Sequence, residues 1–230
     1  MTRRVVVTGV GVVAPGGTGA KAFWSCLTEG RTATRRITLF DPAPFRSQVA
    51  AECDFDPVAA GLSAREIRRS DRYVQFGLAA TAEAIADSGL ELSEELSERT
   101  GVAMGSAVGG TTALESEYVV LSNSGRDWLV DPRYSSPFIY EGLIPSSLAA
   151  GLAVRHDLHG PVQVISTGCT SGIDAIGYAY QLMQDGEADV MIAGASDSPL
   201  SPVTSASFDA IKATTPDNDD PAHASRPFDR

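Results

Sequence analysis

Apolar residues follow two rhythms along this chain, and the switches between them mark its elements. Residues 4–8 are a β-branched run closed by Gly9, the composition of a buried strand opening into a glycine-rich turn. Residues 20–29 place Phe23, Cys26 and Leu27 on one helical face, with Gly30 as the stop. Residues 31–62, rich in proline and aspartate, keep neither rhythm and read as irregular. From 66 to 88 the spacing of Val74, Leu78, Ala82 and Ile85 predicts the longest helix, with Gly89 as its C-cap. Residues 102–104 predict a short strand running into Gly105-Ser106-Ala107-Val108-Gly109-Gly110. Between 122 and 147, Trp128, Tyr134, Phe138 and Tyr140 sit among prolines and serines, as in a packed loop over a site or an interface. A strand at 162–165, a helix at 170–184 ending at Gly186 and a strand at 190–193 follow. Beyond Ser201 the chain turns polar, and no further helix or strand is expected. Strands alternating with helices predict an α/β class with a largely parallel sheet.

Charge narrows the partners. Twenty-nine acidic residues against 18 basic ones give a net charge of −11, which argues against nucleic acid or an anionic membrane as the main partner. Arg65, Arg68, Arg69 and Arg72 form a local basic cluster, either a patch for an acidic partner or a solvated helix face. No apolar run approaches the ~20 residues of a membrane helix. The opening imitates a signal peptide, with Arg3 and Arg4 before an apolar stretch, but its glycines and the Pro15-Gly16-Gly17 turn fit a strand and loop. Three cysteines without CxxC spacing argue against a disulfide framework or a zinc site, and for a reducing cytoplasm.

One of those cysteines has a chemically suggestive place. Cys169 follows a predicted strand and a Thr167-Gly168 turn, where the next helix begins. Free amides and the dipole at a helix N-terminus favour a thiolate, and a sharp strand-to-helix turn exposes a nucleophile beside N–H groups able to hold an oxyanion. Gly172, Ala175 and Gly177 would let that helix pack closely on neighbouring backbone. On residues alone the alternative stands open that Cys169 is a small buried hydrophobe, the reading given to Cys26 and Cys53.

Residues 5–15 (VVVTGVGVVAP), Asp87-Ser-Gly-Leu90, Gly105–Gly110, Pro145-Ser-Ser-Leu-Ala149, Gly160-Pro161, the segment Ser166-Thr-Gly-Cys-Thr-Ser-Gly172 and Ala193-Gly-Ala195 together resemble the β-ketoacyl synthase family. Within it, residues 166–174, 208–216 and 224–229 resemble the ketosynthase-α subunit of type II aromatic polyketide synthases, whose paired chain-length factor typically lacks the cysteine. The resemblance implies a thiolase-like fold, layered α-β-α-β-α, of which residues 1–230 would be the N-terminal half-domain. It implies that Cys169 takes a growing chain from acyl carrier protein as a thioester, and that malonyl carrier protein loses carbon dioxide and attacks it, with no metal or dissociable cofactor. It also implies a homodimer, or a heterodimer with a chain-length-factor subunit, paired along a buried strand at 160–166. The family's two catalytic histidines belong to a C-terminal half, so His156, His159 and His223 are assigned to the surface. The chain is therefore expected to be half an enzyme, inactive alone. Two readings stand beside it, a fatty-acid elongating ketosynthase and a non-catalytic scaffold that dimerises or docks carrier protein. A cysteine hydrolase is a third, lacking recognisable His–Asn/Asp partners.

Overall fold

The computed structural model describes residues 3–229. They form two compact units, residues 3–11 with 57–198, and residues 12–56 with 199–229. In the smaller unit β1 (Val13–Ala14) and β2 (Gly17–Thr18) pair antiparallel and lead into α1 (Ala20–Thr28). Cys26 is buried on α1 while Leu27 is exposed, so the predicted apolar face is only partly covered. The stretch expected to be irregular holds a second antiparallel pair, β3 (Thr34–Arg36) with β4 (Val49–Ala51). Just after β4, the buried Glu52 carboxylate accepts from the Thr38 amide and hydroxyl, both at 2.7 Å, the Leu39 amide at 3.1 Å and the Arg35 guanidinium at 3.0 Å. Burial alone would raise that carboxyl, but these donors hold it below the usual value.

In the larger unit the long predicted helix is two. Helix α2 (Ala64–Arg69) and α3 (Arg72–Ser88) are separated at Ser70-Asp71, because Asp71 turns its carboxylate onto the Tyr73 amide and starts a new helix. Its other oxygen accepts from the Ala113 amide, and burial raises its carboxyl despite both bonds. Gly89 ends α3 in the left-handed conformation, as predicted. Helix α4 (Glu94–Glu98) leads into β5 (Thr100–Gly105), followed by α5 (Thr111–Leu121), α6 (Ile139–Leu143) and α7 (Ser147–His156). Strand β6 (Val162–Ile165), helix α8 (Ser171–Asp185) and strand β7 (Val190–Ala195) complete the unit.

The three strands form one parallel sheet in the order β6-β5-β7. Every residue of central β5 is buried. Its two faces differ in side-chain size. Val102 and Met104 join Tyr73, Val74, Leu78, Leu148 and Leu152 from α3 and α7 in the core, with Val164 and Ile192 packed against it. The alternate positions are Gly101, Ala103 and Gly105. That small-residue side is where α8 lies close to the sheet.

Three expectations need correction. Residues 4–8 form no strand: Val6 and Val7 are exposed, and no strand among the described residues supplies ladder partners. The segment instead runs against α3, where a Cβ on Gly9 or Gly11 would meet the carbonyl oxygen of Ala84 or Ala80 at 2.1 or 1.8 Å. The aromatic segment is not packed, since Trp128 is 92% exposed and Tyr134 and Tyr140 are also open. Strand β6 is present as expected, with β5 on one side only, and Val162 is exposed in the single chain, so any burial along 160–166 has to come from a partner. After Ser201 the smaller unit does contain a helix, α9 (Pro202–Ala210), begun by the Ser201 hydroxyl over the Thr204 amide and by Pro202 at its first turn.

Candidate active site

Parallel strands end together. Ile165, Gly105 and Ala195 stand in one row across β6, β5 and β7. The row continues one residue further, because the Ser106 amide donates to the Ile165 carbonyl at 3.1 Å and the Ser196 amide to the Gly105 carbonyl at 3.0 Å. Ligands of open α/β sheets bind just outside such carboxyl ends, and three loops meet there: the glycine loop 106–110, the turn 166–170 and the stretch after Ala195.

The turn carries the cysteine. Gly168, at φ 73°, opens a single 3-10 turn, Gly168–Thr170, that runs straight into α8. Cys169 lies on that turn and is exposed, so it is not the buried hydrophobe of the alternative reading. Close packing sets the turn's height above the sheet. A Cβ on Gly105 would lie 2.5 Å from the Ser171 carbonyl group, and one on Gly172 would lie 3.0 Å from the Ala195 Cβ. Ala175 is fully buried, but Gly177 has open space around its missing Cβ and takes no part in the packing. Side chains then tie the turn to the helix. The Thr167 amide donates to the Ser171 hydroxyl at 3.0 Å, and that hydroxyl donates to the Gly168 carbonyl at 2.6 Å. The Asp174 carboxylate accepts from the hydroxyls of Thr167 and Thr170, the latter at 3.1 Å.

The glycine loop is filled from within. Asp197 accepts from the Ser106 hydroxyl at 2.9 Å, from the Ala107 amide at 2.9 Å and from the Val108 amide at 3.2 Å. Donors that a phosphate-binding loop would offer to a ligand are taken here by the protein's own carboxylate. Sequence reasoning did not single out Asp197. Its signal was its position, two residues past the end of a strand whose neighbour ends in glycines.

The remaining candidates separate. Cys26 is buried and donates its thiol to the Arg31 carbonyl at 3.3 Å, whereas Cys53 is half-buried. His159 and His223 are at the surface, beside Asp157 and Asp220. His156, expected there too, is half-buried with an unpartnered buried Nε2, and burial lowers its imidazole below the usual value. Of the four arginines, Arg69 pairs with Glu141, and Arg72 lies over the Phe76 ring at 5.0 Å. Arg68 stacks on Phe138 at 5.8 Å with its charge exposed, and Arg65 is exposed.

A family profile described as "Beta-ketoacyl synthase, N-terminal domain" matches residues 2–230. The chain belongs to the β-ketoacyl synthase family. Its fold is the thiolase-like fold of the ketosynthases, of which this N-terminal part supplies one α-β-α set of layers. A Streptomyces halstedii relative is 62% identical over 229 residues, all of this chain and 54% of its own length. The tetracenomycin polyketide synthase ketoacyl synthase alpha subunit of Streptomyces glaucescens is 53% identical over 228 residues, 99% of this chain and 54% of its own length. The chain thus spans about half the length of the curated ketosynthases it matches. Among solved structures, a type II polyketide acyl carrier protein in complex with its ketosynthase superposes with a TM-score of 0.82 at 31% identity, covering 94% of this chain and 50% of the other.

Proposed function

We propose that this chain carries the nucleophile of a polyketide β-ketoacyl synthase, with Cys169 accepting the growing acyl chain from acyl carrier protein. The observation that supports this most is an exposed thiol on a 3-10 turn at the start of a long helix, at the carboxyl end of a parallel sheet. Acyl transfer forms the Cys169 thioester, breaks the carrier's thioester and releases its phosphopantetheine thiol. Malonyl carrier protein then loses carbon dioxide, and the resulting carbanion attacks the thioester carbonyl, expelling the Cys169 thiolate and leaving a β-ketoacyl chain two carbons longer. His156 and His159 lie at the amino end of the sheet, where the His159 amide donates to the Ser97 carbonyl just before β5, away from Cys169 at the carboxyl end, and His223 falls in no motif that the family uses for that step. We assign it to groups outside residues 1–230 in the complete protein, and residues 1–230 alone should not condense.

The polyketide reading over the fatty-acid one rests on the polyketide name of the 53% identical S. glaucescens relative. Arg65 and Arg68, exposed in a chain of net charge −11, suit an acidic partner such as the carrier protein. The open edge of β6 suits pairing with a chain-length-factor subunit or a second copy. A reducing cytoplasm suits a free reactive thiol. The test is reconstitution of the complete synthase with acyl and malonyl carrier proteins. Carbon–carbon bond formation should require Cys169 and yield poly-β-keto products. Condensation that survives Cys169→Ala, or that yields products only when a reductive cycle is added, would contradict the reading.

A further inference from the structure

We propose that Asp174 is a positioning residue for Cys169, acting through the hydroxyls of Thr167 and Thr170. The inference rests on the nucleophile assignment above. Two hydroxyls, one on each side of the Gly168-Cys169 pair, converge on one carboxylate oxygen, Oδ2 of Asp174. The two hydroxyls are themselves 3.3 Å apart, so the three side chains close a triangle across the turn. Thr170, the N-cap residue of α8, makes no side-chain bond to the helix amides. An acidic residue in a first helical turn commonly serves the helix by accepting its free amides. Asp174 is bonded instead to the turn before the helix. The backbone side of the turn is held separately by the Ser171 hydroxyl, through the Thr167 amide and the Gly168 carbonyl. With Gly168 left-handed and therefore permissive, the Thr167 and Thr170 side-chain bonds, the Thr170 hydroxyl also lying 3.3 Å from the Thr167 carbonyl, add to the Ser171 bonds in restricting where the Cys169 Cα points. Asp174 is exposed, so its retention on two hydroxyls serves no buried charge.

A positioning role is separable from a role of charge. Asparagine keeps an oxygen that accepts both hydroxyls, and alanine keeps neither oxygen nor charge. In the complete synthase, Asp174→Ala should slow acyl transfer from carrier protein to Cys169 about tenfold, the scale of a small misplacement of a reacting group. The KM for carrier protein should stay within about twofold, because Asp174 is no part of the Arg65 and Arg68 patch proposed above for docking. Asp174→Asn should recover most of the rate. Thr167→Val with Thr170→Val should reproduce the alanine loss, and adding Asp174→Ala to that pair should change nothing further. A rate within about twofold of the parent for Asp174→Ala, or an asparagine variant as slow as the alanine one, would overturn the proposal. If Asp174→Ala fails to fold, as judged by its unfolding midpoint, the valine pair alone decides in the same way. Should the parent acquire no acyl group at Cys169, the nucleophile assignment fails independently. The Asp174 proposal is then decided by iodoacetamide alkylation of Cys169, which needs no carrier protein: the same order of rates supports it, and equal rates reject it.

Discussion

Gly105 ends the central strand so close to Ser171 that a Cβ there would sit 2.5 Å from the Ser171 carbonyl carbon and oxygen. The approach seats the start of α8 on the sheet, and with it the turn bearing Cys169. Gly105→Ala must push the helix away or distort β5. The expected loss of stability is about 3 kcal/mol, read as a lower urea midpoint at unchanged slope, together with a slower alkylation of Cys169. Gly177→Ala, at a position with open space around it, should leave both unchanged or improve helix stability slightly.

Asp197 holds the glycine loop by accepting from the Ser106 hydroxyl and the Ala107 and Val108 amides. Asp197→Ala removes the acceptor of the part-buried Ser106 hydroxyl and Ala107 amide, and of the exposed Val108 amide, which water can satisfy, and should cost about 1–3 kcal/mol in chemical denaturation. Amide hydrogen exchange should accelerate most at residues 107–109. Unchanged exchange there would show that the loop is held by something else.

Glu52 fixes the second antiparallel pair of the smaller unit in the same manner. Replacing it by alanine removes the acceptor for Thr38, Leu39 and one bond of Arg35, at an expected cost of about 3 kcal/mol. Its carboxyl is held low, so the contribution is fully present above the unfolded value of 4.5 and is lost as pH falls from there through the lowered folded value.

His156 gives the stability a dependence on pH nearer neutrality. Burial lowers its imidazole from 6.5, so the unfolded chain binds a proton there more readily than the folded one. Stability should therefore be flat above the unfolded value and fall as pH drops through 6.5 toward the lowered folded value. The His156→Gln variant should show a shallower fall of the unfolding midpoint between about pH 7 and about pH 5.5. An identical pH profile would contradict the assignment.

The strand, turn and helix around Cys169 were legible because each has a local signature: a β-branched run, a Thr-Gly pair, and apolar spacing closed by glycine. Gly89 and Gly186 ended their helices as read, each at positive φ. What escaped was set by pairing between distant residues. The helical spacing runs unbroken through Ser70 and Asp71, and only the Asp71 bond to Tyr73 shows the break. Residues 4–8 have strand composition, yet composition supplies no partner strand. Pairs such as Thr34 with Ala51 join segments separated by a proline-rich loop, and nothing local predicts them. The roles of Asp174 and Asp197 depend on which hydroxyls and amides the fold brings to them, whereas the placement of Cys169 on an exposed turn at a helix start follows from its neighbours in sequence.

The most direct measurement is intact-peptide mass spectrometry of the complete synthase after incubation with acyl-loaded carrier protein. The account predicts an acyl adduct on the peptide carrying Cys169, absent from the Cys169→Ala variant and released by hydroxylamine as a thioester is. An acyl group found on Cys26, on Cys53 or on a serine, or one that persists undiminished in Cys169→Ala, would contradict it.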